Sequence, residues 1–438
     1  MLTTGVDVAD GSGSSHDGVA DTFKFTNAAE TVEATAKTLT NGDTLNDRTA
    51  GDGDVLRLNL ELAAGTNNIG AKNIGSGFSA TNIEKLVING SNANRTIFDN
   101  TINMLGLTDV QFSGDFLVDV KFEGSKKVIE TLKTIDASDV TAGTVTVDAS
   151  KSSQALTITG PKELAATITG GKGDDTISAD VAEGTAISID GEVGNDIITV
   201  SGGGKGANVV VKGGDGEDVI DAGNLDSDTT VSIDGGDGAD VITVSGSGTV
   251  NAGAGDDVIT VMAGTLTINA DAGNDVIDSS NTGADDKVTI NAGAGNDVIK
   301  LGDAKETILF TASTAASSVN TYVSDIGKDI ITGFTAGNGA DADVLKFDKA
   351  SSAGGTKTFA FKSAVIVASS ASSASGLNNG SAYIIAIADG SNTKLYAFTA
   401  GAASAAVSAI KDSGKEIVTL TGVNVDDLDN ANFNVVTS

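Results

Sequence analysis

The chain has 438 residues, 39% of them hydrophobic but only 4% aromatic, with 56 glycines, one proline, no cysteine and a formal net charge of −32. The missing cysteine excludes disulfides, thiol catalysis and cysteine–metal sites, and the charge excludes nucleic acid as an electrostatic partner and disfavours anionic membrane surfaces. No apolar run reaches the ~18 residues of a transmembrane helix, so any core is built from Val, Ile, Leu and Ala, whose regular short pairs argue for thin stacked β-layers.

Short strand words come first along the chain. "LVING" (86–90), "VQFSG" (110–114), "VTVDA" (145–149), "LTITG" (156–160) and "ATITG" (166–170) are short strand ends with no Gly-Asp loop before them, rich in the Val and Ile that favour strands. They predict a plain β-helix or irregular β-layer upstream of residue 170. The one histidine of the chain, His16, lies further upstream in a Gly/Ser loop.

From residue 170 a nine-residue word recurs seven times: "GGKGDDTIS" (170–178), "GEVGNDIIT" (191–199), "GGDGEDVID" (213–221), "GGDGADVIT" (235–243), "AGAGDDVIT" (252–260), "ADAGNDVID" (270–278) and "AGAGNDVIK" (292–300). Its fourth place is always Gly: Gly173, Gly194, Gly216, Gly238, Gly255, Gly273 and Gly295. Its sixth is always Asp: Asp175, Asp196, Asp218, Asp240, Asp257, Asp275 and Asp297. The eighth is always Ile. Glycines permit a tight turn with carbonyls free of any Cβ, and an Asp among such carbonyls makes a hard-oxygen site suited to Ca²⁺. In-register stacking would place the carboxylates about 5 Å apart, each repelling the next, and a cation between loops removes that repulsion. The tract 170–303 holds 25 of the 59 acids against five lysines. After each loop the apolar residues should face inward, Ile242 with Val244 and Ile259 with Val261, leaving the intervening Thr outside.

These copies resemble the RTX, or haemolysin-type, calcium-binding nonapeptide G-G-x-G-x-D-x-U-x. The resemblance implies an all-β, right-handed parallel β-solenoid (β-roll) that binds about six or more Ca²⁺ ions through the Asp and Gly residues just named. The Asp positions lie 21, 22, 22, 17, 18 and 22 residues apart, so each turn carries one calcium-type loop and the loops form a single row. A second strand sits between loops: "AISID" (186–190), "NVVVK" (208–212), "TVSID" (230–234), "TLTIN" (265–269) and "KVTIN" (287–291). The opposite corner absorbs the length variation, and its Asp226, Asp228, Asp285 and Asp286 read as solvated turn residues.

The flanks carry further resemblances. Segments 3–23, 41–60 and 81–90 look like degenerate forms of stretches common in RTX-containing S-layer proteins of Gram-negative bacteria, although the loop spacing is broken and Asp17, Asp21, Asp52 and Asp54 are not assigned to calcium. Residues 310–438, with "DIGKDIITGF" (325–334), a Ser/Ala-rich loop or linker (363–376) and a β-hairpin at 382–398, resemble the C-terminal region of RTX exoproteins, which caps the roll and serves as a type I secretion signal. Three regions result: 1–169, an N-terminal β-rich extension; 170–309, the calcium-binding roll; and 310–438, the C-terminal cap and secretion signal.

An H-E-x-x-H zinc site needs two histidines, and no G-x-S-x-G elbow occurs, so the chain reads as no enzyme. The resemblance implies a secreted calcium-binding structural protein of the bacterial cell surface. Its expected partners are copies of itself in an S-layer lattice or homo-oligomer, and an outer-membrane surface glycan through a region not identified. The alternative is an adhesin or biofilm protein that uses the roll as a rigid spacer.

Overall fold

The computed structural model describes residues 103–122 and 130–312 without a break. Elsewhere it describes the shorter stretches 6–8, 22–24, 31–35, 44–46, 53–60, 79–90, 95–98, 323, 326–337, 341–349, 366–368, 373–375, 382–399, 404–406, 410–411, 414–428 and 432–435. His16, Asp17, Asp21 and Asp52 fall outside the described residues. The chain divides into two compact units, Met1–Asp221 and Ala222–Ser438. Both are parallel β-solenoids.

In the first unit, successive strands alternate between two columns. One column runs Val55–Leu60, Lys85–Gly90, Asp109–Asp115, Thr134–Ala142, Thr157–Lys162, Thr176–Val181 and Ile197–Gly202, each parallel to the next. The other runs Arg95–Phe98, Leu117–Lys121, Val145–Asp148, Ala166–Gly171, Ala186–Val193 and Asn208–Asp215, again all parallel. The upstream strand words therefore do continue the solenoid.

The second unit repeats the plan. Val258 follows Val241 in register, then Val276, Val298 and Ile330, while Val231, Gly248, Leu266, Val288 and Glu306 align in the other column. Where the Asp spacing drops to 17 and 18 residues, the opposite corner nearly vanishes. The two strands of a turn there fuse into single long strands, Val241–Ala254 and Val258–Ala272.

Alternation sorts the faces as expected. The eighth-place isoleucines are buried in both units, from Ile177, Ile198 and Ile220 in the first to Ile242, Ile259, Ile277 and Ile299 in the second, and Val244 and Val261 join them. Each buried aliphatic side chain contributes about 1.5–3 kcal/mol relative to exposure, and a core one side chain thick leaves little room for rings. Rings are buried nonetheless at Phe112 and Phe116 in the first unit and at Tyr383 in the second, where Phe310 also stacks on Phe347 with ring centroids 4.9 Å apart.

The expected hairpin is present: Ala382–Asp389 and Asn392–Thr399 pair antiparallel, closing at Asp389 and Asn392. Asn392–Thr399 also pairs antiparallel with Lys415–Leu420, which runs parallel to Asp329–Thr332. The solenoid strand 329–332 thus has a partner where it would otherwise be an open edge. The reading of 363–376 as loop or linker needs correction. Ile366–Ala368 adds in parallel to Ile385–Ile387, and Ser373–Ser375 pairs antiparallel with Ser404–Ala406, because backbone groups beside an edge strand gain partners whatever the side chains. No helix among the described residues is long and apolar enough to cross a membrane.

Candidate functional site: a column of buried aspartates

The turn-to-turn approach explains the invariant fourth-place Gly. Gly255 has φ +135°, and a Cβ there would lie 2.2 Å from the carbonyl oxygen of Gly238 in the preceding turn. Gly273 stands in the same relation to Gly255, at 1.8 Å. Any side chain would therefore force the loops apart.

This close stack carries the sixth-place Asp side chains into the protein rather than toward solvent. All seven are at most 1% exposed. Six of the seven carboxylates, those of Asp175, Asp196, Asp218, Asp257, Asp275 and Asp297, reach back one turn to accept a backbone N–H. In the first unit the N–H of Leu156 donates to Asp175 Oδ1, that of Asp175 to Asp196 Oδ1 and that of Asp196 to Asp218 Oδ1, each at 2.7 Å. In the second unit Asp240 donates to Asp257 Oδ1 at 2.8 Å, Asp257 to Asp275 and Asp275 to Asp297, both at 2.9 Å. The backbone thus absorbs part of the charge repulsion that sequence reasoning left entirely to a cation.

The second carboxylate oxygen is not provided for. Oδ2 of Asp196, Asp257 and Asp275 is buried and receives no hydrogen bond. Its surroundings show at the first-place glycines. A Cβ on Gly191 would lie 2.2 Å from Asp196 Oδ2 and 2.6 Å from the carbonyl oxygen of Gly213, so an anionic and a carbonyl oxygen flank the same small space. Gly235 is set likewise between Asp240 Oδ2 and the Ala252 carbonyl oxygen, both at 2.4 Å. Loops five to seven carry Ala252, Ala270 and Ala292 at this place.

Burial, opposed by the backbone N–H donors, pushes the carboxyl of Asp175 up to about 6 and those of Asp196 and Asp275 up to about 7. It raises Asp218, Asp257 and Asp297 as well. Neighbouring carboxylates of the column add to the rise at Asp196 and Asp275. Such a column is costly to ionise and favours whatever positive charge reaches it. The donor set of carboxylate and backbone oxygens fits a hard cation of the calcium class. Among the described residues no three His, Cys, Asp or Glu side chains cluster around one point, so an ion held here would depend on backbone carbonyls for most of its ligands.

The structure adds an eighth member that the sequence reading missed. Asp297 donates its N–H to Asp329 Oδ1 at 3.0 Å, and Ile330 donates to the Asp297 carbonyl at 2.8 Å. Gly327, Asp329 and Ile331 occupy the fourth, sixth and eighth places. Burial and then the charge of Asp297 push Asp329 up to about 8. The pattern also reaches upstream of the loops. Asp54 is fully buried just before Val55, and its N–H donates to Glu84 Oε2 of the next turn at 2.9 Å.

A second ladder went unread at the fifth place. Asp174 Oδ1 accepts the N–H of Asn195 and Asn195 Oδ1 that of Glu217, both at 2.9 Å, while Asp256, Asn274 and Asn296 do the same for Asn274, Asn296 and Lys328. These side chains point forward along the stack and are exposed. Asp or Asn at this place in five of the seven words was the available signal.

The opposite corners separate as expected with one exception. Asp226 and Asp228 are exposed and bond only locally, the Asp228 N–H donating to Asp226 Oδ1 at 3.0 Å, and Asp285 is exposed too. Asp286 is instead half-buried. It accepts the Gly264 N–H of the preceding turn at 2.7 Å and that of Gly283 at 2.9 Å, since the fused strand leaves Gly264 without a corner partner of its own.

One further exposed feature runs beside the column. The seventh-place side chains Val241, Val258, Val276, Val298 and Ile330 are aligned in register and each about 40% exposed. No protein-family model and no curated protein matches the chain.

Proposed function

We propose that this chain is a calcium-loaded structural solenoid, exported to the bacterial cell surface and assembling there into an S-layer. The observation that carries the calcium reading is the run of fully buried Asp carboxylates within each unit, six of the seven with one oxygen engaged by the preceding turn. With calcium absent, those carboxylates oppose folding at neutral pH. With calcium present they become ligands. Extracellular calcium modules bind at about 10⁻⁴–10⁻³ M, so the chain stays loose at cytosolic calcium and folds outside. On this reading the protein is not an enzyme, and its resemblance to RTX proteins gives the export route.

Self-assembly is favoured over the spacer reading by the exposed row Val241, Val258, Val276, Val298 and Ile330, a ridge of β-branched side chains that a neighbouring molecule can cover. The test is paired. Circular dichroism with and without chelator reads folding, and negative-stain microscopy after calcium addition reads assembly. Unchanged strand content in chelator sinks the calcium reading; isolated rods in place of ordered sheets sink the lattice.

A further inference from the structure

Two more carboxylates are wholly buried, at the corner opposite the aspartate column. In the second unit, the position occupied by Val231, Gly248, Leu266 and Val288 in successive turns passes to Glu306. In the following turn Asp343 stands just before Val344, the partner of Thr307. Both acids are 0% exposed. An acid in a slot that Val231, Leu266 and Val288 fill with aliphatic side chains has no packing reason to be there.

Three of the four carboxylate oxygens have donors. Glu306 Oε1 accepts from the Gly302 N–H at 3.0 Å and lies 3.3 Å from the hydroxyls of Ser279 and Thr282. Asp343 Oδ1 accepts from the Glu306 N–H at 3.0 Å and Oδ2 from the Thr335 N–H at 2.7 Å. Glu306 Oε2 is buried and has no hydrogen-bond partner. The Thr282 hydroxyl lies within donating distance of the Ser279 carbonyl at 2.7 Å and of Glu306 Oε1 at 3.3 Å, and its oxygen keeps lone pairs free for a cation. The corner therefore gathers two facing carboxylates, one unsatisfied oxygen and buried Ser and Thr hydroxyls.

We infer that Glu306 and Asp343 form a separate divalent-cation site of the calcium class, off the aspartate row, in which Glu306 Oε2, the Asp343 carboxylate and the Thr282 hydroxyl oxygen supply ligands. One divalent ion neutralises both buried carboxylates, whereas a proton shared between them leaves one negative charge in an apolar slot. All the side-chain ligands are hard oxygens, as calcium requires. The site joins the corner at 279–282, the strand beginning at Lys305 and the segment leading into Val344, so its ion clamps the last turns of the second unit. It needs no contribution from the aspartate row.

The experiment counts bound calcium on the full chain by equilibrium dialysis with radioactive calcium, for the parent, Glu306→Gln and the double variant Glu306→Val/Asp343→Val. The double variant restores the aliphatic slot and removes the need for an ion, so it keeps the count readable where Glu306→Gln folds poorly. The expected result is one equivalent fewer in each variant, with the remaining equivalents binding as in the parent. An unchanged count overturns the site and points to a shared proton. Asp196→Asn run alongside reports on the row alone, so loss there with no loss at Glu306, or the reverse, tells which of the two readings has failed.

Discussion

Replacing Asp196 with Asn should act with opposite sign in the absence and presence of calcium. Asn keeps an oxygen to accept the Asp175 N–H that Asp196 Oδ1 now receives at 2.7 Å, and its amide can face the Gly213 carbonyl that lies beside Oδ2. It removes the charge. The Asp196 carboxyl rises from an ordinary 3.8 to about 7, chiefly through burial, and at roughly 1.4 kcal/mol per pK unit this makes the ionised side chain cost on the order of 4 kcal/mol in the folded state. Solvent screening and the neighbouring carboxylates share that cost, so a gain of about 2–3 kcal/mol is expected for the variant in chelator at pH 8. For a unit of this size that is a rise of roughly 4–10 °C in Tm. At pH 4 the parent carboxyl is protonated and the difference should vanish. In calcium the order reverses, because an ion at a hundred times its Kd adds about 2.7 kcal/mol that the variant forfeits. Differential scanning calorimetry at both pH values, with and without calcium, reads all four cases. A variant less stable than the parent in chelator at pH 8 would show that the buried carboxylate is not a liability. An equal response to calcium would show that it is not a ligand.

Three other outcomes follow from the same geometry. Because Asp175, Asp196 and Asp275 have folded-state pKa values raised to about 6–7, the folded chain holds more protons than the unfolded one between pH 4 and those values. Calcium-free stability should therefore fall as pH rises from 4 to 8, and a urea midpoint that rises over this range contradicts the column's burial. Asp257→Ala strips the acceptor from the buried Asp240 N–H and should cost about 1–3 kcal/mol even without calcium, as well as lowering calcium cooperativity, while Asp226→Ala at an exposed corner should change neither. Gly255→Ala puts a methyl 2.2 Å from the Gly238 carbonyl at φ +135°; the strain, about 1–3 kcal/mol or more, should lower the thermal midpoint in calcium and chelator alike, and an unchanged midpoint would mean that the turns are not stacked this closely.

What the sequence revealed and what it concealed follow one physical division. The Gly-x-Asp-x-Ile word is local, so the phase of each loop, the inward Ile242 and Ile259 and the intervening second strands could all be read from neighbouring residues. The eighth loop kept the same three residues, Gly327, Asp329 and Ile331, but lies 32 residues beyond Asp297, and a search by spacing stops before it. The direction of the Asp side chains was not legible either. Exposed liganding loops and buried carboxylates have the same one-dimensional pattern, and only the turn-to-turn approach of Gly238, Gly255 and Gly273 forces the carboxylates under the preceding backbone. Glu306 could have been found: Ile308 and Phe310 face inward, and the period of two puts Glu306 on their side.

The balance between the aliphatic and acidic columns would suit the proposed role, in which the protein remains loose before export and sets outside. A β-helix of Ile and Val alone would fold as soon as it was made, since each turn buries its share of apolar surface against the last. Here each turn from Asp175 onward also buries a carboxylate, from Asp196 and Asp218 to Asp257 and Asp275, and the burial that the isoleucines favour is the burial that the aspartates resist. The two demands come from residues two places apart in the same word, Asp at six and Ile at eight, so neither can be met without the other. On the proposed reading, a cation would resolve the conflict at each turn separately. Because Asp196 and Asp218 in the first unit, and Asp257, Asp275 and Asp297 in the second, each accept the N–H of the Asp before it, ordering one loop positions the carboxylate of the next. Folding should therefore spread along the stack from loop to loop, and its dependence on calcium should be steeper than that of any single site.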